Sequence, residues 1–230
     1  SEGKRILVDT GLGDKLTPKQ KRNFGLVREE GMGLVAGLAA LGLRPEDIDI
    51  VIDTHLHADH CGGNTRWADP EGKIAVPTFP RAEYWIQRLE WADACYPNER
   101  TQGTYFPENF RPLEERGQLR LLYGDTRVTS EVRCVVTRGH TRAHQSVIIE
   151  SGGKTAIFLG DAVPRPVTLE RIAWVAAYDV EPLESIETKR RLRDWAVEQE
   201  VLLIFEHDLQ TPLGHLRHEE GRWRVEPVTP

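Results

Sequence analysis

Short apolar runs stopped by turn residues alternate along the chain with stretches of helical period. Arg5-Ile6-Leu7-Val8 ends at Asp9-Thr10-Gly11 and reads as a buried strand. Residues 17–23 are polar and basic, a solvated loop or short helix. Residues 33–41 form an apolar helix closed by Gly42. Pro45-Glu46-Asp47 then opens a short helical turn before a strand over 48–52, which delivers the chain to Thr54. Ala82, Trp85, Ile86 and Leu89 fall at i, i+3, i+4 and i+7, predicting an amphipathic helix from residue 81 to about 94. Residues 96–112 carry prolines and aromatics without a period, a long loop of the kind that serves as a lid or binding surface. Strands are predicted over 119–123, 132–136, 146–149 and 155–159. Thr188, Leu192, Trp195 and Gln199, with Ala196, make a helical stripe, followed by a last strand over 201–205 with His207-Asp208 at its end. No linker or internal repeat divides the chain, so residues 1–230 are expected to form a single domain of α/β or α+β class.

Composition narrows the classes of function. A chain of 230 residues, 39% hydrophobic and 29% charged, has the apolar material for one core and too much for intrinsic disorder. No apolar run nears the ~18–20 residues that cross a bilayer, so no membrane partner is expected. The net charge of −6 arises from 30 basic against 36 acidic residues, and neither sign gathers into a block; no nucleic-acid partner is expected. Cys61, Cys95 and Cys134 are odd in number and lack a C-x-x-C pair, which indicates neither a disulfide framework nor a thiolate zinc site and fits the cytoplasm. No secretory leader opens the sequence. Ser1 is not an initiator Met, and a strand pattern follows within a few residues, so a segment upstream of Ser1 is expected.

The chemistry concentrates in Thr54-His55-Leu56-His57-Ala58-Asp59-His60-Cys61-Gly62-Gly63-Asn64, with three histidines and a carboxylate in six positions after a strand. Imidazole and carboxylate suit zinc and similar cations, and uncompensated groups of this kind are costly to place together. In an extended segment His55 and His57 point to the same side, whereas a turn at Asp59-His60 swings those side chains toward a second position. One run can therefore serve two metals. His140, Asp161 and His207 each follow an apolar strand. A lone histidine at a strand end, His144 included, is ordinarily a core or surface side chain; strands sharing one sheet would instead bring these ends to the turn. A carboxylate would then be available as a bridge, and a two-metal site converts water to hydroxide near neutral pH. Asp9-Thr10-Gly11 is either an ordinary strand-ending turn or a support that orients the metal loop. Cys61 is read as a packed small residue.

At these residues the sequence resembles the metallo-β-lactamase superfamily of binuclear metallohydrolases. Its ordered signature is matched by Asp9, His55-x-His57-x-Asp59-His60, His140, Asp161 and His207 over nearly the whole chain. The resemblance implies an α/β fold, an αββα sandwich with its site at one edge. Carried over position by position, His55, His57 and His140 would hold one metal, Asp59, His60 and His207 the other, and Asp161 would bridge them. Within the superfamily the chain looks most like the N-acyl homoserine lactonase group, on the His55 to Asn64 run, on Gly139-His140-Thr141-Arg142-Ala143-His144-Gln145-Ser146, and on the stretch from Asp179 to Leu192 leading into His207-Asp208. Two departures stand out. The lactonases carry a Tyr three residues after the bridging Asp, where this chain has Pro164. Either another group such as Tyr178 or Tyr105 takes that role, or the substrate is not an acyl homoserine lactone. Family members also tend to begin with a hairpin for which this chain has no residues, so a truncated or minimal version is expected.

The expected function is a hydrolase in which a metal-bridging hydroxide attacks a lactone or carboxylic ester, with Asp59 also shuttling the proton. Two divalent ions are expected, zinc first, with manganese, iron and cobalt accepting the same donors. The alternatives are a phosphotriester or phosphodiester hydrolase on the same site, or a metal-binding protein without turnover. Phe79, Tyr84, Tyr105, Phe106 and Trp174 are candidates for an apolar substrate wall. The partner is a small molecule, and a homodimer is left open.

Overall fold

The computed structural model describes residues 1–29 and 31–229. The chain forms two compact units, one of Gly3–Ile86 with Trp91–Leu121, the other of Ser1–Glu2, Gln87–Glu90 and the chain from Leu122 onward. In the first lie β1 (Ile6–Val8), α1 (Pro18–Asn23), α2 (Leu34–Ala40), β2 (Ile50–Ile52), α3 (Ala58–Cys61), β3 (Thr65–Trp67), β4 (Ala75–Pro77) and β5 (Glu83–Gln87). They are followed by α4 (Arg88–Cys95), α5 (Arg111–Glu115) and β6 (Leu119–Leu122). The main sheet has the order β1-β2-β5-β6, and β1, β2 and β5 run parallel. Parallel neighbours need long crossovers, and α1 and α2 lie within the first of them. The register sets Val8 beside Ile52, so Asp9 and Asp53 leave the sheet side by side. Beneath it pack Val51, Leu56, Phe79, Tyr84, Ile86, Phe110 and Leu113, with Trp91 meeting Phe110 edge-on at 5.5 Å.

The helix expected over 81–94 is corrected. Residues 83–87 are the strand β5, and the helix starts only at Arg88. Tyr84, Trp85, Ile86 and Gln87 are consecutive and all buried, because β5 is an interior strand, between β2 and β6, with both of its faces covered. Such a continuous apolar run satisfies a helical template by accident, and the fourth member of that template, Leu89, is exposed. The loop expected over 96–112 shortens at its end, where a 3-10 turn at Pro107–Asn109 leads into α5.

The second unit holds β7 (Thr126–Arg127), β8 (Val132–Val136), β9 (Gln145–Ser151), β10 (Lys154–Phe158), α6 (Pro166–Glu170), α7 (Pro182–Glu198), β11 (Leu202–Ile204), β12 (Leu213–Glu219) and β13 (Arg222–Pro227). Its sheet has the order β13-β12-β11-β10-β9-β8-β7. Only β10 and β11 are paired in parallel, and the connection between them carries α6 and α7. Ile148, Ile157, Leu203 and Leu216 of the sheet pack with Leu169 of α6 and with Leu192 and Ala196 of α7. The stripe expected on α7 holds at Thr188, Leu192 and Ala196, while Gln199 lies beyond the helix and is exposed. The strand at 201–205 is not the last: β12 and β13 form a hairpin after it. Glu219 pairs with Arg222, and the two residues between them, Glu220 (φ 50°) and Gly221 (φ 75°), take the left-handed conformations that a two-residue hairpin turn requires. Among the described residues no helix is long and apolar enough to cross a membrane.

Candidate metal centre

In the first unit the motif is built on Asp9 and the end of β2. Asp9 has φ 54°, a conformation that Asp tolerates better than most residues and that is worth attention at a buried position. Its Oδ1 accepts the Thr54 N–H at 2.7 Å, and its Oδ2 accepts the Thr54 hydroxyl at 2.7 Å and faces His60 Nδ1 at 3.0 Å. Thr54 Oγ1 also meets His55 Nδ1 at 3.0 Å. His57 is still extended (φ −64°, ψ 151°) as the residue before α3, and the single turn of α3 then carries Asp59 and His60 round. The His55 ring lies 4.4 Å from that of His57 and 4.1 Å from that of His60, centroid to centroid. All three imidazoles are buried, whereas the Asp59 side chain is one third exposed (34%) and stands 3.8 Å from His60 Nε2.

A polar frame holds this turn. The Thr10 N–H donates to the His60 carbonyl at 2.6 Å, the Thr10 hydroxyl reaches Asn64 Oδ1 at 2.9 Å, and Asn64 Nδ2 donates to Asp53 at 2.8 Å. The Tyr84 hydroxyl donates to the Asn64 carbonyl at 3.0 Å, and burial pushes that phenol upward, keeping it a neutral donor. Tyr84 and Phe79 therefore belong to the core, not to a substrate wall. Tyr105 lies beside His57, ring centroids 5.0 Å apart, and Phe106 packs edge-on against Phe24. Cys61 is fully buried, donates from Sγ to the Leu56 carbonyl at 3.2 Å, and has its thiol pushed up by burial; it is a packed neutral side chain.

In the second unit the strand ends converge as their register dictates. Phe158 of β10 pairs with Ile204 of β11 and with Val147 of β9, while Val136 of β8 pairs with Gln145. Asp161, His207 and the β8–β9 loop bearing His140 therefore gather at one end of the sheet. The Asp161 carboxylate stands between two imidazoles: Oδ2 is 3.2 Å from His140 Nε2, and Oδ1 is 3.0 Å from His207 Nε2. His140 Nδ1 is backed by Asp179 Oδ1 at 3.0 Å, and Asp179 Oδ2 accepts the Ser185 hydroxyl at 2.7 Å. Gly139 (φ 136°) admits this approach, since a Cβ there would come within 2.3 Å of Ser185 Oγ. His144 has a different task. The Asp161 N–H donates to its Nε2 at 3.0 Å, which puts the ring proton on Nδ1, facing Thr137 Oγ1 at 2.8 Å. It holds the backbone of Asp161. Trp174 and Tyr178 are exposed, Trp174 stacking under Arg171.

Each set fits divalent metal ions by its donors. Nδ1 of His55, His60 and His140 is engaged by Thr54, Asp9 and Asp179, which leaves Nε2 as the coordinating nitrogen, the arrangement that outer partners impose on metal-binding histidines. A carboxylate with one imidazole at each oxygen, as at Asp161, is disposed to bridge. Thr54 and Asn64 bound the motif with no role assigned from sequence, and Asp179 and Ser185 lay in a run noted only for resemblance, because a hydroxyl or amide that supports a ligand has no spacing rule of its own.

Comparison with known proteins follows the same lines. The sequence profile of the Metallo-beta-lactamase superfamily matches residues 1–197. An N-acyl homoserine lactonase of Bacillus cereus is 29% identical over 220 residues, covering 91% of this chain and 78% of the relative. Among solved structures, a probable metal-dependent hydrolase from Staphylococcus aureus aligns with a TM-score of 0.83 at 29% identity, over 98% of this chain and 79% of its own. An N-acyl homoserine lactone hydrolase with its product N-hexanoyl-L-homoserine bound at the catalytic metal center aligns with a TM-score of 0.69 at 25% identity, over 89% of this chain and 77% of its own.

Proposed function

Because the chain belongs to the metallo-beta-lactamase superfamily, and within it to the lactonase-like group of metal-dependent hydrolases, we propose that it cleaves a lactone or carboxylic ester with two divalent metal ions, zinc first among them. The observation that carries this reading is the Asp161 carboxylate placed between His140 and His207, with Asp179 behind His140. His55, His57 and His140 would hold one ion, Asp59, His60 and His207 the other, and Asp161 would bridge. When bound, such a pair supplies a hydroxide nucleophile near neutral pH and a positive field for the charge that develops on the attacked carbonyl.

The chain's own residues supply the rest. Asp9 and Asp179 fix the ring orientation and tautomer of His60 and His140, so each offers Nε2 without reorganisation. His144 pins the Asp161 backbone, which holds the bridging carboxylate in place. Asp59, the carboxylate of the motif and one third exposed, would accept the proton released on attack and return it to the leaving alkoxide. Pro164 offers no donor at the position where the resemblance implies a Tyr, and Tyr105, its ring centroid 5.0 Å from that of His57, is the candidate for that contact.

The test is a panel on zinc-reconstituted protein: an acyl homoserine lactone, a δ-lactone, an aryl ester and an aryl phosphotriester, each with and without chelator. Chelator-sensitive cleavage of a lactone or ester supports the proposal. Preference for the phosphotriester, or no turnover by fully loaded protein, refutes it.

A further inference from the structure

One buried cation lies under the metal turn without a role in the chemistry above. Lys15 is buried, and its Nζ donates to the Gly62 carbonyl at 2.5 Å and the Thr65 carbonyl at 2.6 Å. Gly62 follows directly on α3, a single turn whose last carbonyls have no partners within the helix, and Thr65 opens β3 after an intervening 3-10 turn at Gly62–Asn64. The same segment laces the turn at other points: Thr10 N–H donates to the His60 carbonyl, and Gly63 N–H to the Gly11 carbonyl at 3.1 Å. Contact is so close that a Cβ on Gly62 would fall 2.3 Å from the Leu12 carbonyl oxygen, and one on Gly13 2.3 Å from that of Gly62. An ammonium at the C-terminal end of a helix also complements its dipole.

We infer that Lys15 is a positioning residue for the metal turn: its ammonium ties Gly62 and Thr65 together and so fixes the exit of α3, the turn that carries Asp59 and His60. The inference rests on the metal-binding reading above. Burial is expensive for this group and lowers its pKa from 10.5 to about 8, against the opposing pull of Cys61, Glu108 and Asp14, the titratable groups around it. A side chain that only filled space there would be uncharged.

The test compares wild type, Lys15→Met and Lys15→Arg by chelator competition for zinc between pH 7 and 10, with circular dichroism of the metal-free proteins as a check on folding. Lys15→Met is expected to weaken zinc binding about tenfold or more at pH 7, in the range of supporting residues that orient ligands. The deficit should shrink as pH rises through about 8, where the wild-type ammonium loses its proton. Lys15→Arg keeps its charge, so its affinity relative to wild type should rise over the same interval, and this arm stands even if Lys15→Met fails to fold. Equal affinities, or ratios that ignore pH, overturn the inference, the second outcome marking a packing role only. A wild-type chain that takes up no zinc overturns the metal-binding reading and this inference with it, whereas a zinc-binding wild type matched by both variants overturns this inference alone.

Discussion

Replacing Asp9 with asparagine isolates what its carboxylate does for His60. Three donors converge on it: the Thr54 N–H and hydroxyl, each at 2.7 Å, and His60 Nδ1 at 3.0 Å. An amide has one acceptor oxygen, so Asp9→Asn can satisfy one side and must turn an N–H toward the other. Asparagine also tolerates φ 54°, so backbone strain does not confuse the result. Losing one buried hydrogen bond to a charged acceptor costs about 1.5–3 kcal/mol, and packing is unchanged, so unfolding of the metal-free protein should become easier by about 2 kcal/mol. The larger effect falls on the metal. With an N–H facing Nδ1, His60 moves its proton to Nε2, the nitrogen needed for coordination, and affinity should drop about 10–100-fold. Urea unfolding measures the first number and chelator competition the second. A variant destabilised as expected but binding zinc as tightly as wild type would refute the claim that Asp9 sets the tautomer of His60.

Three further outcomes follow from particular contacts. Gly139→Ala places a Cβ against Ser185 in a conformation that alanine avoids, and should lower stability by about 3 kcal/mol or more while disrupting the Asp179–His140 pair, read by thermal melting and zinc content. Burial pushes the Cys134 thiol up to about 12 and raises that of Cys61 well above its ordinary value, so of the three free cysteines only the half-buried Cys95 should react with a thiol reagent at pH 8 in the native protein, and all three after denaturation. Lys189 is buried, donates to the Trp174 carbonyl, and has its pKa lowered from 10.5 to about 8. The unfolded chain therefore binds more protons between those values, so the stability of wild type relative to Lys189→Met should rise with pH from about 8 to 10.5, measured by urea midpoints.

The elements legible in the sequence were those whose pattern is local. The strand before Asp9, the strand before Thr54 and the buried stripe of α7 declare themselves by apolar runs, turn residues and period. The motif from His55 to His60 was read correctly as extended, then turned, because chain geometry alone separates its first two histidines from Asp59 and His60. β5 was misread because a strand buried on both faces has no alternation to distinguish it from a helix. The β12–β13 hairpin was missed although Glu220-Gly221 marks its turn, since five of its thirteen strand residues are charged (Arg217, Glu219, Arg222, Arg224 and Glu226) and none of these is buried. The supports of the ligands were legible only in part: Asp9 stood as either a turn or a support of the metal loop, and the others carried no local signal. Asp179 lies 39 residues beyond the histidine it orients, Asp9 51 residues before its own, and only the parallel register of β1 with β2 and the end of the second sheet bring such partners within reach.

The most direct test of the account is the metal content of the chain after equilibration with zinc and removal of loose ions, measured by elemental analysis on wild type and on the His60→Ala and His140→Ala variants. Two zinc ions per wild-type chain, with each variant losing at least one, is the predicted result. Wild type holding no tightly bound zinc, or both variants retaining two, would contradict the assignment of these histidines as ligands of a two-metal centre.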